Sequence, residues 1–321
     1  MRPRIVVTRK IAEPALTLLR EAGDVWLPEP DRALPTDELH AAIAGADAVV
    51  STLHERVDAA FADAAGAQLK VVSTVAVGYD NIDVPALAAR GVVVTNTPGV
   101  LTDATADLTF GLLLSVTRRL GEGERLLRSR TPWRFDLDFL LGTGLTGKTL
   151  GIVGLGQIGT AMARRARAFG MDIVYTGRRR ADTEKERDLD ARYRTLDELL
   201  RESDIVSLHC PLTPQTRHLI DADALAAMKP TAYLINTTRG PVVDESALAD
   251  ALTGGVIAGA GLDVFEKEPE VHPTLLELDN VALAPHLGSA TRETRTAMAV
   301  LAARNAVAVL RGDSPLTPVV P

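Results

Sequence analysis

The sequence predicts an α/β protein of two domains, each built on a mostly parallel, doubly wound sheet. Three observations carry this expectation. Short β-rich runs alternate with alanine- and leucine-rich helical stretches along the chain. A strand-turn-helix segment with spaced glycines lies near the middle, and 321 residues with 46% hydrophobic content are enough for two cores.

In the first hundred residues Ile5 to Thr8, Ala48 to Ser51, Val71 to Val75 and Val92 to Thr95 have strand composition, with helical stretches between them. Thr97-Pro98-Gly99 breaks this rhythm and is a plausible hinge. One long helix is expected from Thr102 to near Arg125, because Leu108, Leu112, Leu113 and Val116 group at helical spacing. The alternation resumes at Thr149 to Val153, Asp172 to Tyr175, Asp204 to Leu208, Ala232 to Ile235, Ile257 to Gly261 and Val281 to Ala284. The intervals leave room for crossover helices, as parallel strands require. A last helix, Thr291 to Leu310, is mostly alanine, valine and leucine and is expected to pack back on the first domain. The domains are therefore placed at 1–98 completed by 288–321, and at 99–287.

The central run Leu150-Gly-Ile-Val-Gly-Leu-Gly-Gln-Ile-Gly159 passes from an apolar strand into a helix expected over Gln157 to Phe169. Gly154 permits a tight turn, Gly156 lets the backbone approach a pyrophosphate, and Gly159 lets the helix close on its strand. The helix N-terminus offers free N–H groups and the positive end of its dipole to that anion. A three-glycine match alone is weak evidence, but the flanking strand, helix and second strand agree with a Rossmann-type dinucleotide unit.

The end of the second strand distinguishes the two nicotinamide dinucleotides, since an acidic residue there takes the ribose hydroxyls of NAD. Here the chain has Tyr175-Thr-Gly-Arg-Arg-Arg180 instead. Arg178, Arg179 and Arg180 are suited to the 2′-phosphate of NADP, so NADP(H) is expected to be preferred, with NAD(H) the alternative.

Composition narrows the partners. A net charge of −7 gives no electrostatic footprint for nucleic acid, and no apolar run is long enough to span a bilayer. The single cysteine, Cys210, excludes an intrachain disulfide, and Met1-Arg-Pro-Arg-Ile-Val-Val lacks the apolar core of a secretory signal. A cytoplasmic protein is expected. His40, His54, His218 and His272 show no metal-ligand spacing, so no metal site is expected.

Three segments near strand ends carry the polar groups that hydride transfer needs: Asn236-Thr-Thr-Arg-Gly240, Asp263-Val-Phe-Glu-Lys-Glu-Pro269 and Ala284-Pro-His-Leu-Gly288. With Val77-Gly-Tyr-Asp-Asn-Ile-Asp83, the glycine run, His209-Cys-Pro-Leu-Thr213 and Gly261-Leu-Asp-Val-Phe265, they form an ordered series of motifs. In this series the chain resembles the D-isomer-specific 2-hydroxyacid dehydrogenases, and within them the glyoxylate and hydroxypyruvate reductases, over nearly its whole length. The resemblance implies a flavodoxin-like substrate domain and a Rossmann-type cofactor domain. It also implies that Arg239 binds the substrate carboxylate and keto oxygen, that His286 donates the proton during reduction, and that Glu268 stands behind His286. A guanidinium fork suits an α-keto acid, and a carboxylate beside an imidazole favours its charged, proton-donating form.

By the same resemblance Gly154, Gly156, Gln157, Ile158, Gly159, Cys210, Pro211, Thr237, Thr238, His286 and Gly288 touch the cofactor, and Asp263 contacts the nicotinamide carboxamide. Val77 and Gly78 would offer backbone amides to the substrate carboxylate, and Leu53 would line a small pocket. Sister groups fit less well. Thr74 stands where phosphoglycerate dehydrogenases carry an arginine, Ala76 where phosphite dehydrogenases carry a lysine, and Glu268 where formate dehydrogenases use glutamine. The expected activity is reduction of a small 2-keto acid, chiefly glyoxylate or hydroxypyruvate, to glycolate or D-glycerate. The alternatives are a 2-ketogluconate or broad 2-keto acid reductase and, outside enzymes, a nucleotide-sensing scaffold akin to dehydrogenase-like corepressors. The loop Trp133-Arg-Phe-Asp-Leu-Asp-Phe-Leu-Leu141 is apolar for a chain with 4% aromatic residues, and a homodimer is expected through it.

Overall fold

The computed structural model describes residues 2–320 and resolves into two compact units, Met1–Leu101 with Ser289–Pro321 and Thr102–Gly288. The first unit is built on a five-stranded sheet of β1 (Arg4–Val7), β2 (Asp24–Trp26), β3 (Ala48–Ser51), β4 (Val71–Thr74) and β5 (Val93–Thr95). Its order is β2-β1-β3-β4-β5, and every pairing is parallel. Strand alternation divides the apolar side chains between two faces. Val6, Val49, Val72 and Val94 enter one core, and Ile5, Val7, Ala48, Val50 and Val71 enter the other.

The second of these cores is closed by the helices Glu13–Ala22 and Arg292–Arg311. Thr291 caps the latter by accepting the Thr294 N–H at 3.1 Å. Ala299, Ala302, Ala303 and Ala306 form its buried stripe, where small side chains let the helix lie close to the strands. The last helix thus packs on the first unit, as its composition suggests. Asn305, fully buried on that helix, receives the Leu316 and Thr317 N–H groups at 2.8 and 3.0 Å and donates to the Thr317 hydroxyl at 2.8 Å. It anchors the C-terminal segment where Val319 N–H reaches the Val94 carbonyl at 2.8 Å.

The second unit carries a seven-stranded parallel sheet: β6 (Thr149–Val153), β7 (Asp172–Thr176), β8 (Ala191–Tyr193), β9 (Ile205–Leu208), β10 (Tyr233–Asn236), β11 (Gly259–Leu262) and β12 (Val281–Leu283). The order β12-β11-β10-β9-β6-β7-β8 places β7 and β8 on one side of β6 and the later strands on the other. The direction of winding reverses between β6 and β9, and ligands of open α/β sheets bind outside the strand ends at such a point.

The sheets agree with the expected fold class, with local differences. The edge strands β2 and β8 have no counterpart in the sequence reading. Each is three residues long and partly exposed, so neither leaves an apolar run. The helix expected from Thr102 to near Arg125 is two helices, Thr102–Thr117 and Leu120–Arg128, separated at Arg119, whose φ is 53°. The loop after them leaves Phe135 and Leu137 83% and 85% exposed, with Trp133 stacked on Phe139 at 6.1 Å.

Asn305→Ala is expected to destabilise the protein by about 1–3 kcal/mol, because two backbone N–H groups lose their buried acceptor. Urea unfolding measures this, and an unchanged midpoint would contradict the anchoring role.

Candidate active site

The turn after β6 has the geometry a dinucleotide cradle needs. Gly154 has φ 101°, and a Cβ there would stand 2.8 Å from the His209 carbonyl oxygen. A Cβ on Gly159 would stand 2.2 Å from the Gly154 carbonyl oxygen, so that position also requires glycine. Around Gly156 there is open space. The helix Gln157–Ala168 begins at Gly156 with no side-chain cap, leaving its first N–H groups for an anion. Ile158 is half-buried, while Gly156 and Gln157 are exposed. These features fit a nicotinamide dinucleotide, whose pyrophosphate would lie on the turn.

Across the switch point, the segment after β9 carries Cys210 and Pro211. Cys210 is a free cysteine whose thiol is pushed up to about 11 by burial. Pro211 is exposed. At the end of β7 the arginine triplet divides. Arg180 forms a two-pronged ion pair with Glu186, at 2.8 Å for each bond. The Tyr175 hydroxyl donates to the same Glu186 carboxylate at 2.6 Å and accepts the Ala181 N–H at 2.9 Å. Glu186 is held down at about 2 by Arg180 and Tyr175, while burial and Glu186 push Tyr175 up to about 12. Arg178 and Arg179 are exposed on the loop this network shapes.

The loop after β10 carries Arg239. Asn236, buried at the strand end, accepts the Thr238 N–H at 3.0 Å and the Thr238 hydroxyl at 2.8 Å, and donates to the Arg239 carbonyl at 3.0 Å. Thr237 is tied to Thr109 through their hydroxyls at 2.8 Å. Gly240 lies flat against the loop after β11, since a Cβ there would stand 1.9 Å from the Phe265 carbonyl. Arg239 is half-buried, and its positive charge reaches Glu268.

Glu268 and His286 come together. Glu268 Oε2 meets His286 Nδ1 at 2.7 Å, and Glu268 Oε1 accepts the Phe265 N–H at 3.1 Å. Burial pushes the Glu268 carboxyl up, but the hydrogen bond and charge of His286, the Phe265 N–H and Arg239 together hold it below the usual carboxylate range. The pair therefore persists to lower pH than a carboxylate of ordinary pKa would allow, and is lost as pH falls through the lowered value.

His286 has φ 54°, a left-handed backbone that a residue other than glycine adopts at a cost. Asp263, at the end of β11, holds it there. The Asp263 carbonyl accepts the His286 N–H at 2.8 Å, and its carboxylate accepts the Leu287 N–H at 2.6 Å and the Gly288 N–H at 2.8 Å. The side chain is 1% exposed, and burial raises its pKa against these two bonds. A nicotinamide contact alone does not describe Asp263, because both carboxylate oxygens fix the turn that bears His286. A Cβ on Gly288 would come 3.3 Å from that carboxylate.

In the first unit Leu53 is half-buried in the loop after β3, and Val77 and Gly78 are half-buried in the loop after β4. Asn96 fixes that loop by donating to the Val77 carbonyl at 2.8 Å. The sequence alone assigns no task to Asn236 or Tyr175. Asn236 lies within a motif singled out by sequence, and its position at the end of an apolar strand is the available signal. Among the described residues no cluster of three or more His, Cys, Asp or Glu side chains could hold a metal ion, and no helix is long and apolar enough to cross a membrane.

Comparison with known proteins agrees with this arrangement. Residues 110–288 match the family model of the D-isomer specific 2-hydroxyacid dehydrogenase, NAD binding domain. The chain is 48% identical to a glyoxylate reductase of Thermococcus onnurineus, over 99% of this chain and 96% of that one. It is 50% identical to a glyoxylate reductase of Thermofilum pendens, over 98% and 93% of the respective chains. Among solved structures, the NADPH-dependent glyoxylate/hydroxypyruvate reductase of Sinorhizobium meliloti in complex with NADP and malonate aligns with a TM-score of 0.85 at 39% identity. That alignment covers 99% of this chain and 97% of the other. The chain belongs to the D-isomer specific 2-hydroxyacid dehydrogenase family.

Replacing Asp263 by alanine removes the buried acceptor of two backbone N–H groups, with an expected cost of about 1–3 kcal/mol. Hydrogen exchange resolved to Leu287 and Gly288 is expected to accelerate. Unchanged protection of these two amides would show that the turn stands without the carboxylate.

Proposed function

We propose that this protein reduces small 2-keto acids, chiefly glyoxylate and hydroxypyruvate, to the corresponding D-2-hydroxy acids, with NADPH preferred over NADH. The carrying observation is the 2.7 Å contact between Glu268 and His286 Nδ1, which commits the other ring nitrogen, Nε2, to proton donation. Family membership and relatives named glyoxylate reductase support the substrate class.

The bound nicotinamide would supply the hydride to the keto carbon. Arg239 would hold the substrate carboxylate and polarise the keto oxygen, a role its planar donor fork suits. His286 would pass a proton from Nε2 to that oxygen, so that one hydride and one proton convert the ketone to the alcohol. Glu268 would hold the ring through Nδ1 and fix its plane. The turn Gly154 to Gly159 would hold the pyrophosphate, with Cys210, Pro211, Thr237 and Thr238 along the dinucleotide. In the first unit we assign Val77 and Gly78 to the substrate carboxylate and Leu53 to an apolar contact, from the family pattern. Oxidation of NADPH or NADH with a panel of 2-keto acids tests the reading. Turnover of 2-ketogluconate above glyoxylate would move the assignment to a broader reductase, and no turnover with either cofactor would favour a nucleotide-sensing scaffold.

The NADPH preference rests on Arg178 and Arg179, since Arg180 is committed to Glu186. The double change Arg178→Ser, Arg179→Ser is expected to weaken NADPH binding about 10- to 100-fold and to alter NADH affinity by less than about twofold. Equal losses in fluorescence titrations would refute the phosphate role.

We also propose a homodimer formed through the loop 133–141, whose exposed Phe135 and Leu137 are too apolar for a solvated surface. Sedimentation is expected to give a dimer for the native protein and a monomer for Phe135→Asp, Leu137→Asp. A native monomer would refute this assembly.

A further inference from the structure

The buried carboxylate of Glu245 lies outside the reaction as described, and its bonds enclose the segment that carries Glu268. Glu245 opens the helix Glu245–Thr253, where a glutamate ordinarily faces solvent and offsets the helix dipole. Here it is 9% exposed, and Asp244 already caps the helix by accepting the Ala247 N–H at 3.0 Å. Both Glu245 oxygens serve the loop after β11. Oε2 accepts the Glu266 N–H at 2.7 Å, and Oε1 accepts the His272 N–H at 2.8 Å. These donors stand two residues before Glu268 and four after it. Glu266 returns the bond, accepting the Glu245 N–H at 3.3 Å, and its other oxygen meets His218 Nε2 at 2.6 Å. Phe265, directly before Glu266, donates to Glu268.

We propose that Glu245 is a positioning residue for the reaction. By taking one backbone N–H on each side of Glu268, it holds that carboxylate at hydrogen-bond distance from His286. A carboxylate suits this task better than any neutral side chain, because it presents two acceptor oxygens to two N–H groups in a buried place. A glutamine would turn its NH2 toward one of these donors and release one end of the segment. A displacement of about 1 Å at Glu268 would break the bond to Nδ1, and misplacement of that size costs on the order of 100-fold in rate. Both Glu245 oxygens are taken up by the segment that carries Glu268, so Glu245 acts through Glu268.

The inference rests on the reading of His286 as proton donor, and the experiment separates the two. A hydrogen bond from imidazole Nδ1 to a carboxylate gives a downfield proton resonance, assignable here by its loss in Glu268→Gln. In Glu245→Gln this resonance is expected to vanish or broaden, with NADPH affinity within about twofold of native as the control for folding. Where glyoxylate is reduced, kcat is expected to fall about 10- to 100-fold with KM little changed. The double variant Glu245→Gln, Glu268→Gln is expected to be no slower than Glu268→Gln alone, since residues acting through one another are non-additive. An intact resonance in folded Glu245→Gln overturns the proposal, and so do losses that multiply in the double variant. If Glu245→Gln does not fold, Glu245→Asp, whose shorter carboxylate does not span the two N–H groups, is expected to give the same spectral change. Failure of both to fold would place Glu245 in the stability of the whole unit and refute a positioning role. If native protein reduces no 2-keto acid, the function assigned above falls, while the resonance still reports on the bracket.

Discussion

Backbone N–H groups beyond the ends of parallel strands must find acceptors once the ladder stops, and in the second unit buried side chains supply them. Asn236 serves the loop after β10, Asp263 the turn after β12, and Glu245 the segment after β11. Each of these loops carries one member of the Arg239, Glu268 and His286 set. The three side chains proposed for the reaction are thus mounted on irregular backbone whose N–H groups are bonded to side-chain acceptors. Two of the three acceptors are carboxylates, whose charge is spread over N–H dipoles instead of water. Removing such an acceptor leaves donors unsatisfied and releases a functional side chain at the same time.

The order of the strands explains why so much converges on one edge. All seven strands of the second sheet run parallel, so every loop at their C-terminal ends opens on the same side. The glycine turn after β6 and the segment after β9 meet at the switch point, where a Cβ on Gly154 would collide with the backbone of His209 and Cys210. Glycine at 154 serves the turn by its φ and the neighbouring strand by its lack of a side chain. Gly240 has a comparable task, bringing the loop of Arg239 into backbone contact with the loop of Glu268.

Features that depend on nearby residues were legible in the sequence. The central strands, the glycine turn and the terminal helix follow from local apolar spacing and from glycines at fixed offsets. The edge strands β2 and β8 were not legible, because three partly exposed residues carry no period and pair only through the backbone of a neighbour. The break at Arg119 was hidden because helical residues stand on both sides of it and only its left-handed φ marks it. At the site, Arg239, Glu268 and His286 were recognisable by motif, whereas the tasks of Asn236 and Asp263 depend on N–H groups brought to them by folding. The arginine triplet shows the same limit. Three consecutive guanidinium groups are equivalent in sequence, and only the helix that carries Glu186 to the end of β7 separates Arg180 from the other two.

The left-handed backbone at His286 connects these points to catalysis. A non-glycine residue in that region costs about 1–2 kcal/mol, and the turn recovers it through three N–H groups, those of residues 286, 287 and 288, all bonded to Asp263. An extended backbone at 286 would redirect the ring and break its contact with Glu268. The conformation therefore aims the imidazole, and the carboxylate selects which nitrogen is left to act. Aim and selection come from two positions on one connection, Asp263 at the end of β11 and Glu268 in the loop beyond it. Backbone aim therefore depends on Asp263, whereas the choice of ring nitrogen depends on Glu268, and the two carboxylates have separable effects on one histidine.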